Sequence, residues 1–398
     1  MKLFGRSGTK NKGRAKDGGA SAKTPGNNGM GKGKWFSARL LRKLAPKKTQ
    51  FAAVDIGSYE IKLVEISTAE GYPVVKTTGK ISTPPDTLGD LADEEALVVA
   101  LNELVLTSEM QLREVITTIS GDKVVTRHIK LPVMPDKELE TAIRFEVEKL
   151  IPVPVSELTI RHLKLGVTEL NGEKNQHLLV AAVPTSYIYD FYRVFARADL
   201  TVAAIDLQVL SLWRVFCGLT PDSGSKGTVG VMDIGAASTQ FLVVRDGLLE
   251  FTRTLPVGGN LLTHSLAEYY SYELGQATQM KEEKGRLLSA EEAAATSEEE
   301  MQMDFSLRDG LSELVREIRR SIDFYNSQEG ATPIERFVLS GGTVKLAGFR
   351  EFMAEAMEVP VEFGNPGLSG QPIDATTPEV FDQAYAVVLG SALREVVE

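Results

Sequence analysis

Residues 52–67 read AAVDIGSYEIKLVEIS, and residues 229–244 read VGVMDIGAASTQFLVV. Each is an apolar strand ending in Asp-Ile-Gly, a short turn with a hydroxyl residue, and a second apolar strand. An Asp that closes a buried strand just before Gly sets a carboxylate beside exposed turn amides, and such amides bind phosphate oxygens. Gly57 and Gly235 remove the Cβ that would block a ligand's approach, and Ser58 and Ser238 add hydroxyl donors. Asp55 and Asp233 suit Mg²⁺, which keeps much of its hydration and takes few carboxylates. One such hairpin is commonly a plain strand end and turn. Two of them, opening the two halves of the chain, read as a clamp on a polyphosphate, for which positioning and charge neutralisation dominate the chemistry.

The charge is as unevenly spread as the hairpins are regular. Residues 1–50 carry 14 Lys and Arg against the single acid Asp17, and the remaining residues carry 30 against 53. Residues 1–33 hold almost nothing to bury, so a disordered basic tail is expected over 1–48. Within it KWFSARLLRKL (34–44) has the apolar and basic sides of a helix that would lie on an anionic membrane surface; apolar residues packing on the body are the alternative. The acidic body argues against general nucleic-acid binding. The lone Cys217 excludes a disulfide framework and reads as a small core residue. His128, His162, His177 and His264 lack ligand spacing, so a histidine metal site is not expected. No apolar run reaches the roughly 18 residues of a membrane span, and the start lacks the apolar core of a secretory signal, so a cytoplasmic protein is expected.

Periodicity predicts the remaining elements. Helices are expected over 93–109, 134–152 (Asp136 as N-cap; Leu139, Ile143, Val147 and Leu150 as apolar stripe), 186–200, 207–216, 304–328 and 380–393. The acidic stretch 290–300 reads as a solvated loop or helix. Strands EVITTIS and VVTRHIKL fall within 114–131, others near 157–165, 177–183 and 202–206, and three more over 228–255. ERFVLSGGTVKLAGF (335–349) is a strand, a Gly-Gly turn and a helix start. Gly341 and Gly342 there would let the backbone approach a ring or ribose. Gly258 and Gly259 open another helix, either as a tight strand-to-helix turn or with the first N–H groups facing an anion. Lys62 either reaches a phosphate or is a solvated strand lysine.

This ordered set, over 51–395, resembles the actin-like ATPase superfamily, an α/β bilobed fold. The stretches 55–66 (DIGSYEIKLVEI), 143–158 (IRFEVEKLIPVPVSEL), 204–216 (AIDLQVLSLWRVF) and 251–267 (FTRTLPVGGNLLTHSLA) are more similar to the PilM family of type IV pilus assembly proteins, then to the FtsA family. The resemblance implies two lobes closing on Mg-ATP: 49–112 with 186–216, and 217–398. It implies an interaction subdomain inserted at 113–185. Asp55 and Asp233 would lie near the metal, Gly57, Ser58, Gly235 and Ser238 near the phosphates, and Gly341 and Gly342 near the adenosine. Gln208 stands near the place that positions the attacking water, and it can orient water without acting as a base. Lys281 fits a nucleotide-contact position, while Thr278 stands where an acid is expected, so slow turnover at most is implied. The implied partner is the N-terminal segment of a PilN-like inner-membrane protein. It would hold the chain at the membrane periphery.

Two other functions compete. A small-molecule kinase on this fold needs a catalytic base, and only Asp206 and Asp233, which the fold uses or buries, lie between the hairpins. An FtsA-like, membrane-associated, self-associating filament protein is the second; FtsA carries its amphipathic helix at the C-terminus, where this chain reads as core helix.

Overall fold

In the computed structural model the described residues are 48–69, 71–85, 87, 93–119, 124–170, 173–217, 227–365, 374–375 and 382–397. Segment 34–44 and the Asn171-Gly172 turn lie outside them. No helix among the described residues is long and apolar enough to cross a membrane.

The first half runs β1 (Gln50–Ile56), β2 (Glu60–Ser67), β3 (Val74–Ser82), α1 (Glu94–Thr107), β4 (Glu114–Ile119), β5 (Val125–Pro132), α2 (Asp136–Leu150), β6 (Leu158–Leu170), β7 (Glu173–Pro184), α3 (Thr185–Arg197), β8 (Thr201–Leu207) and α4 (Gln208–Phe216). The second runs β9 (Thr228–Ile234), β10 (Thr239–Arg245), β11 (Leu248–Leu255), α5 (Asn260–Tyr270), α6 (Leu274–Lys284), α7 (Ala290–Ala293), α8 (Glu298–Asn326), β12 (Arg336–Ser340), α9 (Phe349–Met357), β13 (Val361–Phe363), β14 (Asp374–Ala375), α10 (Ala386–Ala392) and α11 (Arg394–Val397).

The repeat seen in sixteen residues extends to two whole sheets. One is ordered β14-β3-β2-β1-β4-β8 and the other β11-β10-β9-β12-β13. In each, an antiparallel meander of three strands (β1–β3, β9–β11) is followed by two parallel strands. The parallel strands need crossovers, which the intervening helices supply. Buried residues of both sheets meet in one apolar core, where Leu210 and Leu212 of α4 join Val229, Val231, Leu242 and Val244. The chain returns to the first sheet at its end: Val388 and Leu389 of α10 pack with Phe51, Ala53 and Val64.

A third sheet, β5-β7-β6, carries its own core, in which Leu139, Ile143 and Val147 of α2 cover Leu178 and Val180 of β7. It begins later than the expected boundary at 113. β4 pairs with β1 and β8 in the six-stranded sheet, so 114–119 leave the insertion. Burial matches the split: β4 is buried at five of its six positions, as an interior strand must be, while β5 is half-buried or exposed at every position.

Three local expectations change. The N-cap of α2 is Pro135, and Asp136 is the first helical residue, its carboxylate on Lys164 Nζ at 2.7 Å. Leu150 is 46% exposed and drops out of the apolar stripe. The long helix begins at Glu298 rather than 304, because Ser297 and Glu300 form a capping box that satisfies its first amides.

Candidate functional site

The two hairpin turns share one geometry. Gly57 N–H donates to Glu60 O at 3.1 Å, and Gly235 N–H donates to Ser238 O at 3.0 Å. Asp55 stands across the ladder from Lys62 and Asp233 from Gln240, so the two Asp side chains occupy matching positions. Both turns open onto one cleft of about 1350 Å³. Asp55, Gly57, Ser58, Lys62, Gln208, Asp233, Gly235, Ser238, Gly259, Lys281, Gly341 and Gly342 all line it. Gly258 does not line it.

Asp55 is buried and accepts hydrogen bonds from Thr118 Oγ1 and from Gln208 Nε2 at 3.1 Å. Gln208, the first residue of α4, is thus aimed at the carboxylate of β1, 153 positions away. Burial pushes the Asp233 carboxyl up to about 6; the Asp55 charge adds to this, while the Ser340 hydroxyl and Lys62 oppose it. A carboxyl raised by burial and by a neighbouring carboxylate marks a site short of positive charge. Lys62 supplies part of it, its Nζ also lying 3.2 Å from Glu60.

The second turn is braced from outside. Gly235 O accepts from Gly259 N at 2.9 Å and from Thr343 Oγ1 at 2.8 Å, and Ala236 O accepts from Asn260 N at 2.8 Å. This corrects one expectation: the first amides of α5 are bonded to the hairpin and do not face the cleft. Gly258 is required instead for packing, since a Cβ there would meet Gly235 O at 2.5 Å. Gly341 is held at φ +94°, and a Cβ would strike the Ile234 backbone, so only glycine fits against β9. Gly342 faces open space in the cleft. Lys281 Nζ donates to Thr263 Oγ1 at 2.7 Å, and burial lowers its pKa.

Several residues escaped sequence reading. Thr118 was hidden by the grouping of β4 with β5; its register beside β1 is the signal that finds it. Tyr59 OH donates to Glu282 Oε1 at 2.7 Å, between residues 223 positions apart. His128 and His177 meet at 3.0 Å on neighbouring strands, and His128 Nε2 lies 3.2 Å from Thr252 Oγ1 of β11. Burial, then the His177 charge, holds His128 down at about 3. Among the described residues no three His, Cys, Asp or Glu side chains group as a metal cage. Asp206 is buried against Arg214 Nη1 at 2.6 Å, which leaves it no room to act as a base.

The same cleft is also lined by Val125 and Arg127 of β5, Tyr187 of α3 and Thr254 of β11.

A family model described as type IV pilus assembly protein PilM matches residues 53–396. Among solved structures, the chain is similar to one of a PilM-PilN type IV pilus biogenesis complex, at 27% identity and a TM-score of 0.76, covering 88% of this chain and 99% of that one. It shares its fold with the ethanolamine utilization protein EutJ of Carboxydothermus hydrogenoformans, at 17% identity and a TM-score of 0.52, covering 87% and 90% of the two chains. Among curated proteins it is similar to the cell division protein FtsA of Neisseria meningitidis, 24% identical over 330 residues, or 75% of this chain and 78% of that one. The repeated sheets and the cleft between their hairpins are therefore the actin-like α/β bilobed architecture.

Proposed function

The chain belongs to the PilM family of type IV pilus assembly proteins, and from this premise we propose that it binds Mg-ATP between its two hairpins and docks the N-terminal segment of a PilN-like membrane protein. One observation carries the reading: two turns of equal geometry, each with a buried Asp, open onto a single cleft.

The residues fit the cofactor. Asp55 and Asp233 would hold Mg²⁺ largely through its waters, since two carboxylates without a full cage suit that ion. The bound ion would neutralise phosphate charge. Gly57, Ser58, Lys62, Gly235 and Ser238 would hold the phosphates, and Gly341, Gly342 and Lys281 the adenosine. Gln208 would orient a water, and with Asp206 of β8 locked in an ion pair the β8–α4 junction supplies no base. Binding with slow hydrolysis at most is the expected chemistry. Calorimetry with Mg-ATP tests it, and absence of saturable heat at millimolar nucleotide would remove it.

Asp233 makes binding pH-dependent. Its folded pKa of about 6 lies above the ordinary 3.8, so a proton competes with the cation below that point. Mg-ATP affinity should fall as pH drops from 7 to 5, by up to about tenfold per unit. The excess slope over an Asp233→Asn variant isolates this group from the nucleotide's own titration; equal slopes would refute its role.

The insertion, redrawn as 124–184, is the proposed docking subdomain, beside a first lobe of 50–119 and 185–216, joined at the chain's end by β14, α10 and α11, and a second lobe of 227–363. Where it borders the cleft, Val125 and Arg127 of β5 and the neighbouring Tyr187 of α3 line it, a mix of apolar contact and charge suited to a short peptide with apolar anchors. The likeness to a solved PilM-PilN complex supports this choice of partner. Docking would hold the protein at the inner membrane through that partner. A peptide copying the N-terminal cytoplasmic segment of a PilN-like protein should be retained by the full chain. Tyr187→Ser should weaken that capture about tenfold, and capture unaffected by the change would move the site elsewhere.

A further inference from the structure

The two walls of the cleft are joined very differently at its two sides. At the base, α4 and the second sheet share an apolar core, and Trp213 Nε1 donates to Gly247 O at 3.0 Å. At the hairpins, the crossings are polar: Tyr59 OH to Glu282 Oε1 at 2.7 Å and Ala237 N to Ser58 Oγ at 3.2 Å. Packed apolar surface resists separation, whereas an exposed hydrogen bond exchanges readily with water. The base therefore acts as hinge and the hairpin side as mouth.

Tyr59 is placed to control that mouth. It is the third residue of the turn closed by Gly57 N–H and Glu60 O, so its position is rigidly tied to that of Gly57 and Ser58. Glu60 anchors the turn further through Lys80 Nζ at 2.9 Å and Lys62 Nζ at 3.2 Å. On the opposite wall Glu282 directly follows Lys281 on α6, and both line the cleft. One hydrogen bond thus ties the first hairpin to the helix that carries the Lys281 contact.

We propose that Tyr59 and Glu282 form a latch across the mouth of the cleft that slows nucleotide exchange, an inference that rests on the nucleotide reading above. The Tyr59 hydroxyl is the donor, and the hydrogen bond to Glu282, then burial, raises its pKa to about 12. Opening breaks the bond, swings the first hairpin from α6, and frees the ligand.

Two readouts on the full chain test it. In stopped-flow release of a fluorescent N-methylanthraniloyl-ATP with Mg²⁺, Tyr59→Phe and Glu282→Ala should each raise the dissociation rate at least threefold, and the double variant no further than the faster single. Unchanged release, or effects that multiply in the double variant, would overturn the latch. Hydrogen exchange without nucleotide gives the second readout: the amides of 57–60 should exchange faster in Tyr59→Phe. Equal exchange there overturns the latch whatever the nucleotide result. Failure of the unaltered chain to bind the probe, with exchange still accelerated, removes the nucleotide reading and leaves the latch as a cleft closure.

Discussion

Asp233→Ala is expected to weaken Mg-ATP binding at least tenfold, about 1.4 kcal/mol or more, and Asp55→Ala by a similar factor. The two act for related reasons. Each stands at the end of a central strand, one position before the Ile-Gly that starts its turn, and each is buried. Removing either leaves a single carboxylate to attract the cation. They differ in what else is lost. Asp55 also receives Thr118 and Gln208, so Asp55→Ala strands two polar side chains, and Asp55→Asn is the gentler probe of charge. Asp233 carries the opposite sign in stability. An acid whose folded pKa is raised binds its proton more tightly folded than unfolded. Its stabilising contribution is therefore fullest below 3.8 and is lost as pH rises through about 6. At pH 7 the buried charge is a net cost, so Asp233→Asn should melt no lower than the unaltered, ligand-free chain. A variant that loses ATP affinity in calorimetry while keeping its melting temperature isolates the clamp. Unchanged affinity in both alanine variants would exclude it.

How far the fold was legible follows from the range of the forces involved. The Asp-Ile-Gly hairpins are local: period-two apolar runs and a tight turn are written in about sixteen consecutive residues, and their duplication signals the duplicated sheets. The capping box at Ser297 and Glu300 is equally local, and the start of α8 was readable there from spacing alone. What escaped is set by register between distant strands. EVITTIS reads as a strand anywhere, and only its pairing with β1 shows that Thr118 reaches Asp55. His128 and His177 are 49 positions apart and meet because Ile129 faces Leu178 across the β5–β7 ladder. The Gly258-Gly259 turn shows the opposite error. Its letters fit an anion site, but its amides are engaged by a hairpin more than twenty residues upstream. A glycine pair states that backbones come close, and it does not state which backbone.

Arg214→Ala is expected to destabilise the fold by about 3–5 kcal/mol, the usual cost of breaking a buried ion pair from one side. Arg214 and Asp206 are 3% and 1% exposed, and the Arg214 Nη1 to Asp206 Oδ2 distance is 2.6 Å. The other oxygen, Asp206 Oδ1, accepts from Leu207 N–H at 2.9 Å, so the carboxylate also fixes the end of β8. Arg394 of α11, equally buried, has its Nε 3.9 Å from the same carboxylate. Asp206→Ala should therefore cost more than Arg214→Ala, because it takes the shared anion from two buried cations. Replacing both Asp206 and Arg214, as Asp206→Leu with Arg214→Met, should recover only part of the loss, since the apolar pair needs no counter-charge but buried Arg394 still loses this carboxylate. Urea unfolding with the midpoint and slope compared across the three variants measures this; a cost below about 1 kcal/mol for Arg214→Ala would show that water reaches the pair. The pair also bears on the cleft. Asp206 is two residues before Gln208, and the junction it holds is where β8 turns into α4 and directs Gln208 to Asp55. Arg214→Ala should then lower Mg-ATP affinity even where the protein remains folded, while Arg214→Lys, which keeps the charge, should restore part of both. A variant that loses stability but binds Mg-ATP as tightly as the unaltered chain would separate the ion pair from the aim of Gln208.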